Sequence, residues 1–306
     1  MRRSICFAIL ALAAMPSVAG ATLPGRNGEI AFGGWYDNCW DYAAATPHAR
    51  AADCSGWEAD DLVAVSPRGT PKRIIFSAGQ EPSYSPSGRE VAFTDANSSR
   101  MFIKRAARGS RAQSFQPGAA APPARDVDSS PTWSGTGNRL AFARSTEGPS
   151  RVFTVNRDGS ALTDLVEGQD PDWSSAGRIA FTRGTQIYSM NESGGDLRPI
   201  ARGAEPSWSP GGRWLAFTRR VGRQRHVFIV RSNGFGTRRV TRGPFTCSSP
   251  AWSPDGRRIA VVRGTSRLLT VRPDGTKSAE LGRVPAGYSI GGTAWQPLPR
   301  AASTQR

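Results

Sequence analysis

The sequence predicts an all-β fold, a six-bladed β-propeller of four-stranded antiparallel blades. A short phrase, consisting of an aromatic residue, a serine and a Pro/Asp/Gly turn, recurs along the chain, and 57 of the 306 residues are Gly or Pro. Such a composition favours short strands and tight turns over a helical bundle. Repeats of roughly 40 residues are typical of propeller blades. Hydrophobic residues make up 38% of the chain, enough to build a folded core.

Residues 1–21 are expected to form a signal peptide that precedes the fold. Arg2 and Arg3 come before an apolar run, Ile5 to Met15, and small residues end the segment at Ala21. This order is typical of a secretory signal. The run is too short for a membrane-spanning helix, which needs roughly 20 apolar residues. We therefore expect cleavage after Ala21 and an exported chain, secreted or periplasmic, with no membrane span.

The recurring phrase supplies the first two strands of each blade. Its aromatic residues lie 35 to 49 residues apart, at Tyr84, Trp133, Trp173, Trp208, Trp252 and Trp295. Each aromatic-Ser segment predicts a first strand, and the Ile-Ala-Phe-like segment after it predicts a buried second strand. Third strands are predicted beyond a loop of variable length, at 62–65, 101–104, 152–155, 187–190, 227–230 and 268–271. A tight turn and a fourth strand complete each blade.

The two ends of the repeat region complement each other. Residues 27–32 have the pattern of a second strand but no aromatic-Ser strand before them, and the phrase around Trp295 has no second strand after it. We predict that this C-terminal strand pairs into blade one and closes the ring over residues 22–299, with 300–306 as a disordered tail. Closure would remove sheet edges that invite aggregation.

The phrase resembles the WD-like repeat of TolB-type propellers. Its fullest copy is Trp252-Ser253-Pro254-Asp255-Gly256 followed by Ile259-Ala260-Val261, and the resemblance extends over roughly residues 23–299. The resemblance implies a six-bladed propeller. It is specific for the fold and not for a function.

The largest insertion, residues 33–60, separates the second and third predicted strands of blade one. It contains several aromatic residues, among them Trp35, Tyr36, Trp40 and Trp57. One interpretation is an aromatic lid over the central channel that contacts a sugar or a peptide. We favour the other, in which these residues pack against their own propeller, because large aromatic side chains mostly serve packing.

Two cysteines, Cys39 and Cys54, lie in the same insertion. In an exported protein such a pair predicts a disulfide, with Cys247 as the alternative partner of either one.

Charged residues define two further candidate binding features. Glu81, Asp170 and Glu205 occupy equivalent repeat positions. One interpretation is that they converge near the channel mouth and bind a cation or a cationic ligand. We favour the other, in which they cap turns and accept backbone N–H groups, because serine and glycine fill the remaining positions of the ring. The densest basic run follows the second strand of blade five and has the chemistry to contact phosphate or uronate groups; it consists of Arg219, Arg220, Arg223 and Arg225.

No catalytic triad, metal-ligand cluster or cofactor motif is recognisable in the sequence. Residues 287–291 match the G-x-S-x-G nucleophile pattern, but no Asp, Glu or His follows among the fifteen remaining residues, where that fold requires its acid and histidine. The formal net charge of +16 falls to +14 without Arg2 and Arg3. Export argues against nucleic acid as the partner of this charge.

These observations predict a monomeric exported scaffold. Its loop face would bind a protein partner or an anionic cell-envelope polymer. The alternative function is a carbohydrate-active or lactone-type enzyme that uses carboxylates at the channel mouth.

Overall fold

The fold consists of β-strands arranged in six sheets. A computed structural model describes residues 25–35, 62–68, 72–76, 79–107, 110–118, 126–283 and 289–298. These residues form 24 strands in six four-stranded antiparallel sheets, which confirms the predicted propeller. No helix with the length and apolar character to cross a membrane occurs in the described ranges.

The first three blades contain the two ends of the described chain. Blade one consists of β24 (Ser289–Leu298), β1 (Arg26–Trp35), β2 (Leu62–Val65) and β3 (Lys72–Phe76). Blade two consists of β4 (Gly79–Tyr84), β5 (Glu90–Asp95), β6 (Arg100–Arg105) and β7 (Ala112–Phe115). Blade three consists of β8 (Val127–Trp133), β9 (Arg139–Ser145), β10 (Arg151–Asn156) and β11 (Thr163–Glu167).

The remaining three blades follow in chain order. Blade four consists of β12 (Gln169–Trp173), β13 (Arg178–Arg183), β14 (Gln186–Asn191) and β15 (Arg198–Arg202). Blade five consists of β16 (Ala204–Trp208), β17 (Trp214–Val221), β18 (Gln224–Arg231) and β19 (Arg238–Arg239). Blade six consists of β20 (Cys247–Trp252), β21 (Ile259–Arg263), β22 (Arg267–Val271) and β23 (Ala279–Arg283).

The ring closes through pairing of β24 with β1. The two strands run antiparallel, with Arg26 opposite Leu298 and Ile30 opposite Trp295. Because β24 is the innermost strand of its sheet, the order in blade one is β24-β1-β2-β3. The predicted closure is therefore confirmed.

The hydrophobic core is divided into six clusters, one between each pair of neighbouring blades. In the cluster between blades six and one, Phe32 and Val63 pack with Val262 and Leu268. The other five repeat this arrangement around the ring. Burial of apolar side chains between the sheets thus joins each blade to its neighbours.

The aromatic residue and the serine of the recurring phrase have structural roles. The indole N–H of Trp133 donates to the carbonyl of Ser83 in the preceding blade, and Trp295 donates likewise to Ala251, each at 3.1 Å. The serine hydroxyl accepts the backbone N–H at the start of the second strand, as between Ser174 and Arg178 at 3.0 Å. The phrase therefore anchors one blade to the next and orients the first hairpin of each blade.

Candidate binding face

The turns at the two ends of the ring differ in how regularly they repeat from blade to blade. At one end the tight turn after the first strand recurs, with the glycine N–H donating to the serine carbonyl, as from Gly212 to Ser209 at 2.8 Å. The other end carries the turns between second and third strands and the links between blades. There the hairpin of blade five pairs as far as Val221 and Gln224, two residue pairs beyond the corresponding hairpin of blade four. We call this less regular end the loop face.

Every innermost strand has a β-bulge near the loop face. In blade two the strand register shifts between Gln80 and Ser83, and the other blades shift at the equivalent place. The backbone angle φ at the bulge lies between 47° and 56° at all six positions: Glu81, Ser130, Asp170, Glu205, Ser249 and Gly292. A left-handed conformation costs a non-glycine residue roughly 1–3 kcal/mol. Its presence in every blade indicates that the surrounding ring holds the bulge in place.

The bulge acids form hydrogen bonds to the next blade. Glu81 Oε2 accepts the backbone N–H of Ser130 at 2.7 Å, and Glu205 Oε2 accepts that of Ser249 at 2.8 Å. Asp172, two residues beyond a bulge, accepts the N–H of Trp208 at 2.6 Å. Of the two interpretations drawn from the sequence, these contacts match the one in which the acids accept backbone N–H groups.

Burial gives these carboxyl groups unusual acidities. Removal from water raises the pKa of Glu81 to about 7 and the pKa values of Asp170 and Asp172 to about 8 each. The negative charges of Glu205 and Glu81 also raise the pKa of Asp170, after the larger effect of burial. The three bulge acids are thus electrostatically coupled. No group of three or more His, Cys, Asp or Glu side chains suited to hold a metal ion occurs among the residues described.

Arginines line a cavity on the loop face between blades four and five. The cavity has a volume of about 540 Å³. We call it the arginine pocket; it is lined by Gly184, Thr185, Arg202, Gly203, Ala204, Thr218, Arg219, Arg220 and Arg225. Arg223, also predicted for the binding face, is exposed in the β17–β18 turn and does not line the pocket.

The positive charge of the pocket is only partly neutralised. Arg225 pairs with Glu205, which is 1% exposed, at 3.1 Å. Within the described ranges, Arg202, Arg219 and Arg220 form no ion pair with a carboxylate. Three guanidinium groups therefore face the cavity without a counter-charge from the described part of the chain.

Arg219 is held in one orientation by stacking and by a hydrogen bond. Its guanidinium lies 5.1 Å from the ring centroids of both Phe217 and Phe228. Its Nε donates to the carbonyl of Arg202 at 2.8 Å. Partial burial, and then the charge of Arg202, lower the pKa of Arg219, although a guanidinium remains charged in proteins. This arrangement aims a fixed planar donor group at the loop face.

The same stack occurs in blades three and four. In blade four Arg183, like Arg219, donates its Nε to a backbone carbonyl and has no carboxylate partner within the described ranges, whereas in blade three the charge is neutralised. Arg144 stacks on Phe142 and Phe153, and Asp128 neutralises it through two hydrogen bonds of 2.6 and 2.9 Å. In blade five no carboxylate takes the place of Asp128. Sequence reasoning missed this pattern, although a Phe-x-Arg motif at 142–144, 181–183 and 217–219 would have revealed it.

Most of the predicted aromatic and cysteine residues of the insertion lie outside the described residues. Trp35 is the last residue of β1, whereas Tyr36, Trp40, Trp57, Cys39 and Cys54 lie outside the described residues. The aromatic lid and the Cys39–Cys54 disulfide thus remain predictions. Cys247 begins β20 as a buried free thiol, and Ser289 of the G-x-S-x-G segment begins β24.

Comparison with known structures identifies several propellers of the same fold. TolB from Acinetobacter baumannii superposes with a TM-score of 0.67 at 20% identity, over 90% of this chain and 68% of that one. A putative TolB from Agrobacterium tumefaciens superposes with a TM-score of 0.60 at 18% identity, over 74% of this chain and 95% of that one. Oligogalacturonate lyase from Vibrio parahaemolyticus superposes with a TM-score of 0.53 at 10% identity, over 73% of this chain and 71% of that one. At these identities the likeness shows the fold alone.

The family is established by the sequence match. Comparison with curated proteins finds no match. A family model described as the TolB beta propeller domain matches residues 71–297, well over half of the sequence. The chain therefore belongs to the TolB β-propeller family.

Proposed function

We propose that the protein is an exported binding scaffold whose loop face holds a protein partner or an anionic cell-envelope polymer. The observation that carries this proposal is the arginine pocket, where Arg202, Arg219 and Arg220 lack carboxylate partners among the described residues. Guanidinium groups without counter-ions attract anionic ligands and raise their rate of association. Loops on a rigid scaffold are also the usual place for binding residues.

The six interlocked blades provide the required rigidity. Hydrogen bonds between neighbouring blades, such as the one that the backbone N–H of Ser130 donates to Glu81, fix the innermost strands relative to one another. A preorganised surface loses little conformational entropy on binding. We further infer that the scaffold acts as a monomer and is exported through the signal-like segment 1–21. N-terminal sequencing of the exported product in a bacterial host should give a chain that begins at Thr22.

Binding of a purified anionic envelope polymer to the immobilised chain from Thr22 tests the scaffold function. We expect retention at low salt that weakens steeply as ionic strength rises, because screened charges attract less. Protein retained from envelope extract would be identified in parallel by mass spectrometry, and its direct binding measured with the purified partner. Retention of neither polymer nor a specific protein would overturn the proposal.

Catalysis by the channel-mouth carboxylates is the second candidate function. One observation favours it: Asp170 Oδ2 is buried without a hydrogen-bond partner in the described part of the chain, and the pKa of Asp170 is raised to about 8. Perturbed carboxyl groups are enriched at catalytic sites. Asp170 resembles Glu81 and Glu205 in accepting a backbone N–H group, that of Glu205, but its Oδ2 stays unbonded among the described residues.

An assay of lactone hydrolysis and of glycan cleavage tests this alternative. Turnover by the native chain that is lost in Asp170→Asn would establish catalysis. Absence of turnover on both substrate classes would contradict it.

A further inference from the structure

The arginine pocket selects for negative charge. Four guanidinium groups line it, and the only carboxylate bound to any of them, among the residues described, is the buried Glu205 paired with Arg225. Like charges this close repel one another, so an anion placed between them removes an unfavourable interaction and gains charge-assisted hydrogen bonds.

The geometry of Arg219 matches a planar anion. Its guanidinium lies over Phe217 and Phe228, and its Nε donates to the carbonyl of Arg202, so contacts on two sides hold the group. No group of the described residues accepts from its Nη atoms. A guanidinium held in this way, with free Nη donors, fits the two oxygens of a carboxylate in a bidentate fork.

The pocket has room for a ligand larger than the anionic group alone. A volume of about 540 Å³ falls within the range of roughly 300–1,000 Å³ for small-molecule sites. Gly184, Gly203 and Ala204 line part of it with little side-chain bulk, and the exposed Thr185 adds a hydroxyl at the rim. A pyranose ring with hydroxyl groups and one carboxylate has this combination of surfaces.

We propose that the arginine pocket binds a carboxylated sugar residue, the charged unit of the envelope polymer in the proposed function, on which this inference rests. The carboxylate lies against Arg219 and Arg220, and the ring lies over the glycine and alanine surface. Sugar hydroxyls accept from the exposed Arg202.

Calorimetric titration with a glucuronate trisaccharide tests the proposal. Its neutral methyl ester, inorganic phosphate and a hexaglutamate peptide serve as the comparison probes. We expect the acid trisaccharide to bind at least about tenfold more tightly than each of them, the change expected for one charge-assisted hydrogen-bonded pair. Equal binding of the ester, or tighter binding of phosphate or peptide, would overturn the carboxylated sugar as ligand.

Two kinds of variant test whether the trisaccharide binds in the arginine pocket. Thr185→Glu places a competing carboxylate at the pocket rim, whereas Thr185→Gln has nearly the same shape without the charge. We expect Thr185→Glu and the double variant Arg219→Gln/Arg220→Gln to lose at least about tenfold in affinity, and Thr185→Gln to retain it. The matched control Arg213→Gln/Arg257→Gln removes two charges from the opposite end of the ring and should bind normally.

The outcomes separate this inference from the scaffold function. Unchanged binding in both Thr185→Glu and the double arginine variant would place the sugar elsewhere and overturn the inference. If the native chain retains the polymer while the trisaccharide does not bind, the inference fails and the scaffold function stands. If the trisaccharide binds the pocket and no polymer or partner is retained, the scaffold function fails instead.

Discussion

Gly203 shows how a single residue shapes the loop face. A Cβ at this position would lie 2.4 Å from the carbonyl oxygen of Thr218 and 2.5 Å from Phe217 Cδ2, closer than real Cβ contacts. A Cβ added at Gly168, in the preceding link, would lie 2.4 Å from Phe181 Cδ2. The bare backbone thus allows each link to pass directly over the aromatic ring on which the following arginine stacks.

Gly203→Ala is therefore expected to destabilise the fold by about 1–3 kcal/mol, the usual cost of overpacking. Urea unfolding followed by tryptophan fluorescence measures the change. Gly211→Ala is the matched control, since no heavy atom lies within 4 Å of its added Cβ, and should change stability by less than about 0.5 kcal/mol. Equal effects of the two substitutions would contradict the packing argument.

The buried acids make stability depend on pH. In the unfolded chain the Asp172 carboxyl has its ordinary pKa of 3.8, whereas burial in the fold raises that pKa to about 8. Between these values the folded state holds a proton that the unfolded state has lost, so rising pH destabilises the fold. Asp172→Asn keeps an oxygen to accept the N–H of Trp208 and does not titrate.

We expect a smaller loss of Tm between pH 5 and pH 8 in Asp172→Asn than in the native protein. Differential scanning calorimetry at several pH values measures this slope. Asp158→Asn is the control, because hydrogen bonds from Ser160 lower the pKa of the exposed Asp158, and its titration falls below this window. A native-like slope in Asp172→Asn would show that Asp172 does not contribute to the pH dependence.

At the scale of elements, the sequence predicted four strands in every blade, but it predicted the bounds of the inner strands and not those of the outermost ones. Each predicted third strand lies inside an observed strand, as 187–190 lies inside β14, because buried strands repeat the same apolar residues. The fourth strands of blades three to six lie at the outside and are largely exposed, and β19 is reduced to Arg238–Arg239. Without a buried face, no hydrophobic alternation marks where these strands begin.

Closure by β24 predicts that the fold tolerates circular permutation of its strands. Leu298 lies opposite Arg26, so a short linker can join the end of β24 to the start of β1 as a hairpin. A circular permutant with this linker, and new termini between Arg283 and Ser289, should fold with native or higher stability in urea. The linker shortens the loop that closes blade one, which lowers the entropy cost of pairing.

Deletion of β24 is the contrasting variant. It removes Trp295 and leaves the inner edge of β1 unpaired, and we expect it to aggregate or to unfold without cooperativity. A cooperative, monomeric deletion variant would contradict the role given to closure.

At the scale of the whole molecule, the sequence predicted the ring but not where its charge remains unbalanced. The net charge of +16 is a sum over the chain. Arg144 and Arg219 occupy equivalent repeat positions, yet of these two only Arg144 meets a carboxylate, Asp128, within the described ranges. Which arginine is neutralised depends on acids outside the repeated phrase, and their placement follows from the assembled blades. Three of the four pocket arginines were thus predicted, whereas Arg202 and the missing counter-charge emerged only from the three-dimensional arrangement.

The pairing of β1 with β24 also sets an order of events during biosynthesis. Blades two to six each consist of four consecutive strands, so each blade can form once its own segment has left the ribosome or a translocation pore. Blade one pairs residues 26 and 298 and stays incomplete until the last strand is free. The growing chain thus remains an open arc during synthesis, and it becomes a closed ring only when β24 is free to pair.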